Sequence, residues 1–360
     1  MKSDKLPGLD GLRAIAVGLV LLFHRFLLPV GWLGVQIFFV LSGYLITRIL
    51  VRSKDQPFGS YLRNFYGRRA LRIFPLYYGV IAALGVATVL GVHLAGVPEG
   101  LPFAATYTYN FWYATKASDF SPYITHFWTL CVEEQFYLLW PFAVFLCPAP
   151  RLKQFFIAVV VLGPLLRVIG AWLLARPGAT VLFDPAVALD VLTTTHLDAF
   201  ATGGLFALFP MTNGNAARRA LVVGGAIWLA AGAVLMATHH LPKTSLGYPI
   251  GMAFGYAYLW GYSLINVLSG LLIDCLVNRR LFPALFEARP LAYLGRISYG
   301  LYVLHYPLQA LTDEALPHTS LSVRLALHVA ATVALASLSF HLWETPFLSF
   351  KNRWFRSAEA

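Results

Sequence analysis

Apolar runs long enough to cross a bilayer constrain this chain more than any motif in it. Stretches such as "LRAIAVGLVLLF" and "GWLGVQIFFVLSGYLIT" recur almost to its end, and a spanning helix needs about 20 such residues. Charged side chains make up 12% of the 360 residues, roughly half the share usual in a soluble domain. Within hydrocarbon every backbone polar group must be bonded internally, so runs of this kind are helices. The expected fold is an all-α polytopic membrane protein, with about ten transmembrane helices in one bundle. The windows fall at 12–30, 31–50, 73–97, 124–147, 154–175, 192–211, 220–238, 250–274, 291–311 and 321–345. Coiled coil, disorder, a disulfide-rich scaffold and a soluble α/β fold are excluded on composition.

The formal charge of +11 would suggest nucleic acid in a soluble protein, but here it reads as topology. Nineteen of the 27 Lys and Arg fall on alternate loops and tails. They run from Lys2 and Lys5 through the cluster between Arg48 and Arg72 to Lys351, Arg353 and Arg356. The opposite loops hold Lys116, Arg176, Lys243 and Arg324 with several acids, among them Asp119 and Asp184. The positive-inside rule then places both termini in the cytoplasm. Residues 1–346 form one expected membrane domain, and 347–360 a basic cytoplasmic tail. The three cysteines sit in or beside apolar segments without metal spacing, so neither a disulfide framework nor a metal site is expected. The first apolar stretch has no cleavage pattern behind it and is expected to stay as an anchor. No appended soluble domain is expected after the last span.

Ionisable residues inside such segments are costly, and each is a functional hypothesis. Arg13 and His24 are eleven residues apart, about three helical turns, so they share a face and lie roughly 16 Å apart along it. A buried imidazole can act as a general base near neutral pH; the plainer reading of His24 is an interfacial contact. In "HFWTLCVEEQFYLLWP", Glu133 and Glu134 are adjacent in mid-segment, and neighbours on a helix point about 100° apart. They are suited to two tasks, one orienting a histidine or arginine and the other binding a neighbouring helix. "NFYGRRALRIFPLYY" places Arg68, Arg69 and Arg72 at one mouth; Arg69 and Arg72, three apart, form a one-face pair suited to phosphate. Signalling to anionic lipid competes with that for each of them. "LGRISYGLYVLHYPL" carries the polar stripe Ser298, Tyr302 and His305, which serves helix packing or substrate contact equally. His341 and Glu344 read as structural. The aromatic stretch 103–128, which includes Trp128, reads as an interfacial belt before it reads as a sugar platform.

Taken together, these segments resemble the acyltransferase-3 family of membrane-bound O-acyltransferases, over nearly the whole chain. "LPGLDGLRAIAVGLVLLFH" resembles the family opening, with Arg13 and His24 at its Arg and His. "GWLGVQIFFVLSGYLIT", the R-x-x-R pair Arg69 and Arg72, the glutamate block and the late Ser-to-His block follow in order. The resemblance implies a bacterial inner-membrane enzyme that moves an acyl group, acetyl foremost, from acyl-CoA to a hydroxyl of a saccharide or glycolipid. It implies no metal and no nucleic-acid partner. His24 would be the general base or the acyl carrier, with Arg13, Glu133 and Glu134 beside it in catalysis. Arg68, Arg69 and Arg72 would hold the donor, and Ser298, Tyr302, His305 and Trp128 the acceptor. The rival is a proton-coupled glycan transporter using the same His and Glu as a relay.

Overall fold

A computed structural model describes residues 6–115, 120–174, 176, 185–248 and 260–355. Lys2, Lys5, Lys116, Asp119, Asp184, Arg356 and the start of the 250–274 window lie outside the described residues. Among the described residues there is helix and no strand. The first helices are α1 (Leu9–His24), α2 (Leu33–Arg52), α3 (Phe58–Val89), α4 (Val97–Ala105), α5 (Tyr109–Thr115) and α6 (Phe127–Leu146). They are followed by α7 (Leu152–Leu174), α8 (Pro185–Val191), α9 (Leu197–Leu208), α10 (Gly214–His239) and α11 (Tyr262–Arg279). The last are α12 (Pro283–Phe286), α13 (Arg289–Arg296), α14 (Ser298–Ala315), α15 (Leu321–Leu338) and α16 (Thr345–Trp354).

Every expected window contains helix, but among the described residues five stretches are long and apolar enough to cross a membrane: Leu33–Arg52, Phe58–Val89, Ala149–Leu174, Gly214–His239 and Leu321–Lys351. The helices α1 and α9, of 16 and 12 residues, reach about 24 and 18 Å, short of a hydrocarbon core of about 30 Å. Window 192–211 overestimated α9 because Thr193–Thr195 form a separate turn of tighter helix before it. The 103–128 stretch holds the end of α4, all of α5 and the start of α6.

The chain divides into two compact units. The first is Met1–Arg48, Cys147–Thr180 and Thr193–Arg296; the second is Ile49–Leu146, Val181–Leu192 and Ile297–Ala360. In the first unit α1 packs on α13, α7 on α9, and α11 on both α9 and α10. The α2–α9 crossing brings backbone against backbone: a Cβ on Gly43 would lie 2.1 Å from the Phe200 carbonyl, and one on Gly203 2.0 Å from that of Val40. Small residues permit such approach, and dispersion and lipid entropy hold it where no hydrophobic effect acts between helices. On α7 the outward side chains Val161, Leu165, Val168, Ile169 and Trp172 stay exposed, as a lipid-facing helix requires.

In the second unit α14 packs on α15, α5 on α8, and α3 on α4 and α16. Pro307 lies inside α14 and has no N–H for the carbonyl four residues back, that of Val303. His126 Nε2 donates to that carbonyl at 3.2 Å. The expected tail is in part the helix α16, which packs along α3. Tyr107 stacks on Tyr77 at 4.5 Å, and Trp112 on Phe103 at 5.8 Å.

Candidate functional site

A cluster of ionisable groups lies in the second unit, where α3, α6 and α14 meet the helix ahead of α16. On α3, Arg69 and Arg72 share a face while Arg68 points elsewhere, as positions one apart must. Arg68 Nη1 donates to the Phe355 carbonyl at 3.1 Å, past the end of α16, and reaches that of Lys351 at 3.5 Å, which also accepts the Phe355 N–H. Arg69 lies over the Tyr137 ring, 5.5 Å from its centroid. Tyr137, one turn beyond Glu133, donates its hydroxyl to Glu133 Oε1 at 2.5 Å. Both Glu133 and Glu134 attract the Arg69 guanidinium electrostatically. The two glutamates are thus collected on the arginine pair within this unit, while His24 belongs to the other.

Two further groups complete the cluster. Tyr299 donates to the Ile73 carbonyl at 2.8 Å, which brings the first turn of α14 onto α3 one residue past Arg72. Glu344 is buried, accepts from Ser339 Oγ at 3.0 Å and attracts Arg72. It closes a π-helical segment, Ser339–Glu344, a widened turn that recurs at functional sites. Chemically the cluster sets two guanidiniums against three carboxylates with phenols between them. Such a group can exchange partners when an anionic substrate arrives, because no single pairing satisfies it.

The polar stripe of α14 is buried in the same unit. Tyr302 bonds Thr129 Oγ1 at 2.5 Å and the His126 carbonyl at 3.2 Å. His305 Nδ1 donates to the Tyr302 carbonyl at 2.6 Å, and His328 Nε2 to that of His305 at 2.8 Å. Ser298 is buried at the start of α14, and Trp128 is half-buried near the start of α6.

In the first unit, His24 is the last residue of α1, half-buried, its ring edge-on to Phe23 at 5.4 Å. Arg13, on the same helix, pairs with Asp10 at 2.9 Å. The sequence reading passed over Arg167, whose side chain is wholly buried. It makes a two-pronged pair with Asp198 at 2.9 and 2.8 Å, donates to the Thr195 carbonyl at 2.5 Å and contacts Ser263 Oγ. The signal was available: an arginine inside the apolar window 154–175 deserves the same suspicion as Arg13. Tyr137 was legible too, at four residues from Glu133, where helical side chains meet.

The acyltransferase domain model of the acyltransferase-3 family matches residues 6–342. The chain belongs to that family. Multi-pass membrane character follows from its apolar helices and from the family. It is 30% identical to the peptidoglycan O-acetyltransferase OatA of Listeria monocytogenes over 361 residues, 95% of this chain and 55% of the relative. It is 31% identical over 374 residues to YrhL of Bacillus subtilis, whose name assigns the same activity provisionally, covering 97% of this chain and 57% of the relative. The chain therefore spans a little over half the length of these relatives. No solved structure matches it.

Proposed function

We propose that this family member transfers an acyl group, acetyl in the first instance, from acyl-CoA to a hydroxyl of a cell-envelope saccharide, with peptidoglycan the leading acceptor. The reading rests on one observation above all: relatives named as peptidoglycan O-acetyltransferases align with 95% and 97% of this chain. The buried ionisable groups support it, since acyl transfer needs a base and a place for developing negative charge.

In the direct route His24 takes the proton of the acceptor hydroxyl as that oxygen attacks the thioester carbon. The C–O ester bond forms, the C–S bond breaks, and the proton passes on to the leaving thiolate. In the covalent route the His24 imidazole carries the acyl group between donor and acceptor. Arg13 shares the His24 face but lies about 16 Å from it along the helix, so it acts on charge nearer the start of α1 and not on an oxyanion formed at the imidazole. Arg69 and Arg72 meet the donor's negative charge in place of the attraction that Glu133 and Glu134 exert on Arg69 and Glu344 on Arg72. The α14 stripe and Trp128 serve the acceptor.

The test compares cell-wall and glycolipid fractions by mass spectrometry from wild type, a deletion, and the deletion carrying His24→Ala. An acyl substituent missing from both mutants supports the reading and identifies the acceptor. Restoration by His24→Ala would remove His24 from the chemistry.

A further inference from the structure

An open cleft of about 530 Å³ beside the start of α1 takes no part in the chemistry above. Leu6, Phe286 and Ala292 give it apolar walls, and Arg289 and Arg296 stand on its rim. The frame is closely packed, because a Cβ on Gly11 would lie 2.1 Å from the Phe286 carbonyl and one on Gly295 1.7 Å from that of Asp10. The short helix α12, which ends at Phe286, and the helix α13 therefore press backbone to backbone on α1, and any added side chain would force the walls apart.

The charges of the cleft are unequal in kind. Both acids are already answered: Asp10 pairs with Arg13 at 2.9 Å, and Glu287 with Arg280 at 2.6 Å. Arg289 and Arg296 have no carboxylate partner among the described residues. Arg296 lies over the Tyr293 ring at 5.5 Å from its centroid, which holds the guanidinium by its face and leaves its N–H rim for a ligand. Two unanswered guanidiniums favour a group with several anionic oxygens, phosphate above all, since their planar fork matches it. The volume falls within the range of about 300–1,000 Å³ usual for small-molecule sites. Apolar walls beside the cations favour a ligand with a flat, weakly polar body attached to its phosphate.

We propose that this cleft binds a phosphorylated adenine nucleotide. The guanidiniums of Arg289 and Arg296 hold its phosphates, and the base lies against Phe286. An anionic lipid headgroup would present the same phosphate, so the experiment separates the two sources.

The full chain, purified in detergent and stripped of phospholipid, is titrated calorimetrically with adenosine 3′,5′-bisphosphate, which has no thioester arm. Wild type is expected to bind. Arg289→Gln and Arg296→Gln should each weaken binding by about tenfold, the loss expected when a charge-assisted bond is removed. Arg219→Gln, an exposed arginine remote from the cleft in sequence, controls for net charge and should bind as wild type does. Melting temperatures near wild type confirm that the variants are folded. No binding by wild type, or equal binding by the Arg289→Gln/Arg296→Gln double variant, overturns the proposal. So does native mass spectrometry showing that those arginines retain phosphatidylglycerol while the nucleotide fails to bind. His24→Ala should bind the nucleotide normally; if it also transferred acyl groups normally, the role of His24 would fall while the cleft stood.

Discussion

Two charge clusters in this molecule are built on opposite plans. In the first unit Arg167 and Asp198 are matched one to one, at 0% and 1% side-chain exposure, with Ser263 and a backbone carbonyl closing the ring. In the second unit Arg69 and Arg72 face Glu133, Glu134 and Glu344, with Tyr137 and Tyr299 between them, and Arg69, Arg72, Glu133 and Glu134 are all half-buried. A closed pair has little capacity to receive anything else, and removing one partner strands the other charge. An unmatched cluster can reorganise around a substrate, which is the condition for perturbed, reactive groups. The first plan is that of a brace between α7, α9 and α11; the second is that of the site proposed to meet the donor.

The largest effect tests the brace. Asp198→Ala leaves a buried guanidinium unpaired and should cost about 3–5 kcal/mol, seen as loss of monodisperse protein in size-exclusion chromatography. A well-folded Asp198→Ala protein defective only in transfer would erase the contrast. Next come Arg69→Ala and Arg72→Ala, which should lower transfer by about ten- to a hundredfold, equivalent to about 1.5–3 kcal/mol for a bond to a charged group. Thermal denaturation should move little in either variant. A collapse in melting temperature would make the second cluster a brace as well.

A smaller effect concerns the carbonyl that Pro307 leaves open. His126→Ala should destabilise by about 1–3 kcal/mol by stranding the Val303 carbonyl. In a Pro307→Ala background the restored N–H can reach that carbonyl, so the same change should cost less. A double-mutant cycle on melting temperature reads the difference. The smallest change expected is for Arg68→Ala, which should loosen α16 from α3 by about 1 kcal/mol. Faster proteolysis at the C-terminal end, with transfer intact, is its signature.

The helical class was legible because hydrophobic run length carries that information locally. That Arg69 and Arg72 share a face of α3 was legible as well, since a spacing of three residues defines a face. Span number was not legible in the same way. Hydropathy windows cannot register that α3 begins at Phe58, well before the apolar part, or that α9 is cut short at Leu197. The association of Arg167 with Asp198, and of His126 with Val303, joins residues 31 and 177 positions apart. No local pattern encodes contacts over such distances.

Chain chemistry alone settled that this protein is helical and membrane-borne, and which faces of its helices carry charge, because periodicity and transfer energy are properties of short segments. The tertiary structure decided which charges meet. It gathered Glu133, Glu134 and Glu344 around two arginines, closed Asp198 on Arg167, and left Arg289 and Arg296 without a carboxylate partner among the described residues. Partner choice among buried ions is set by which helices pack together, and that packing is cooperative over the whole unit.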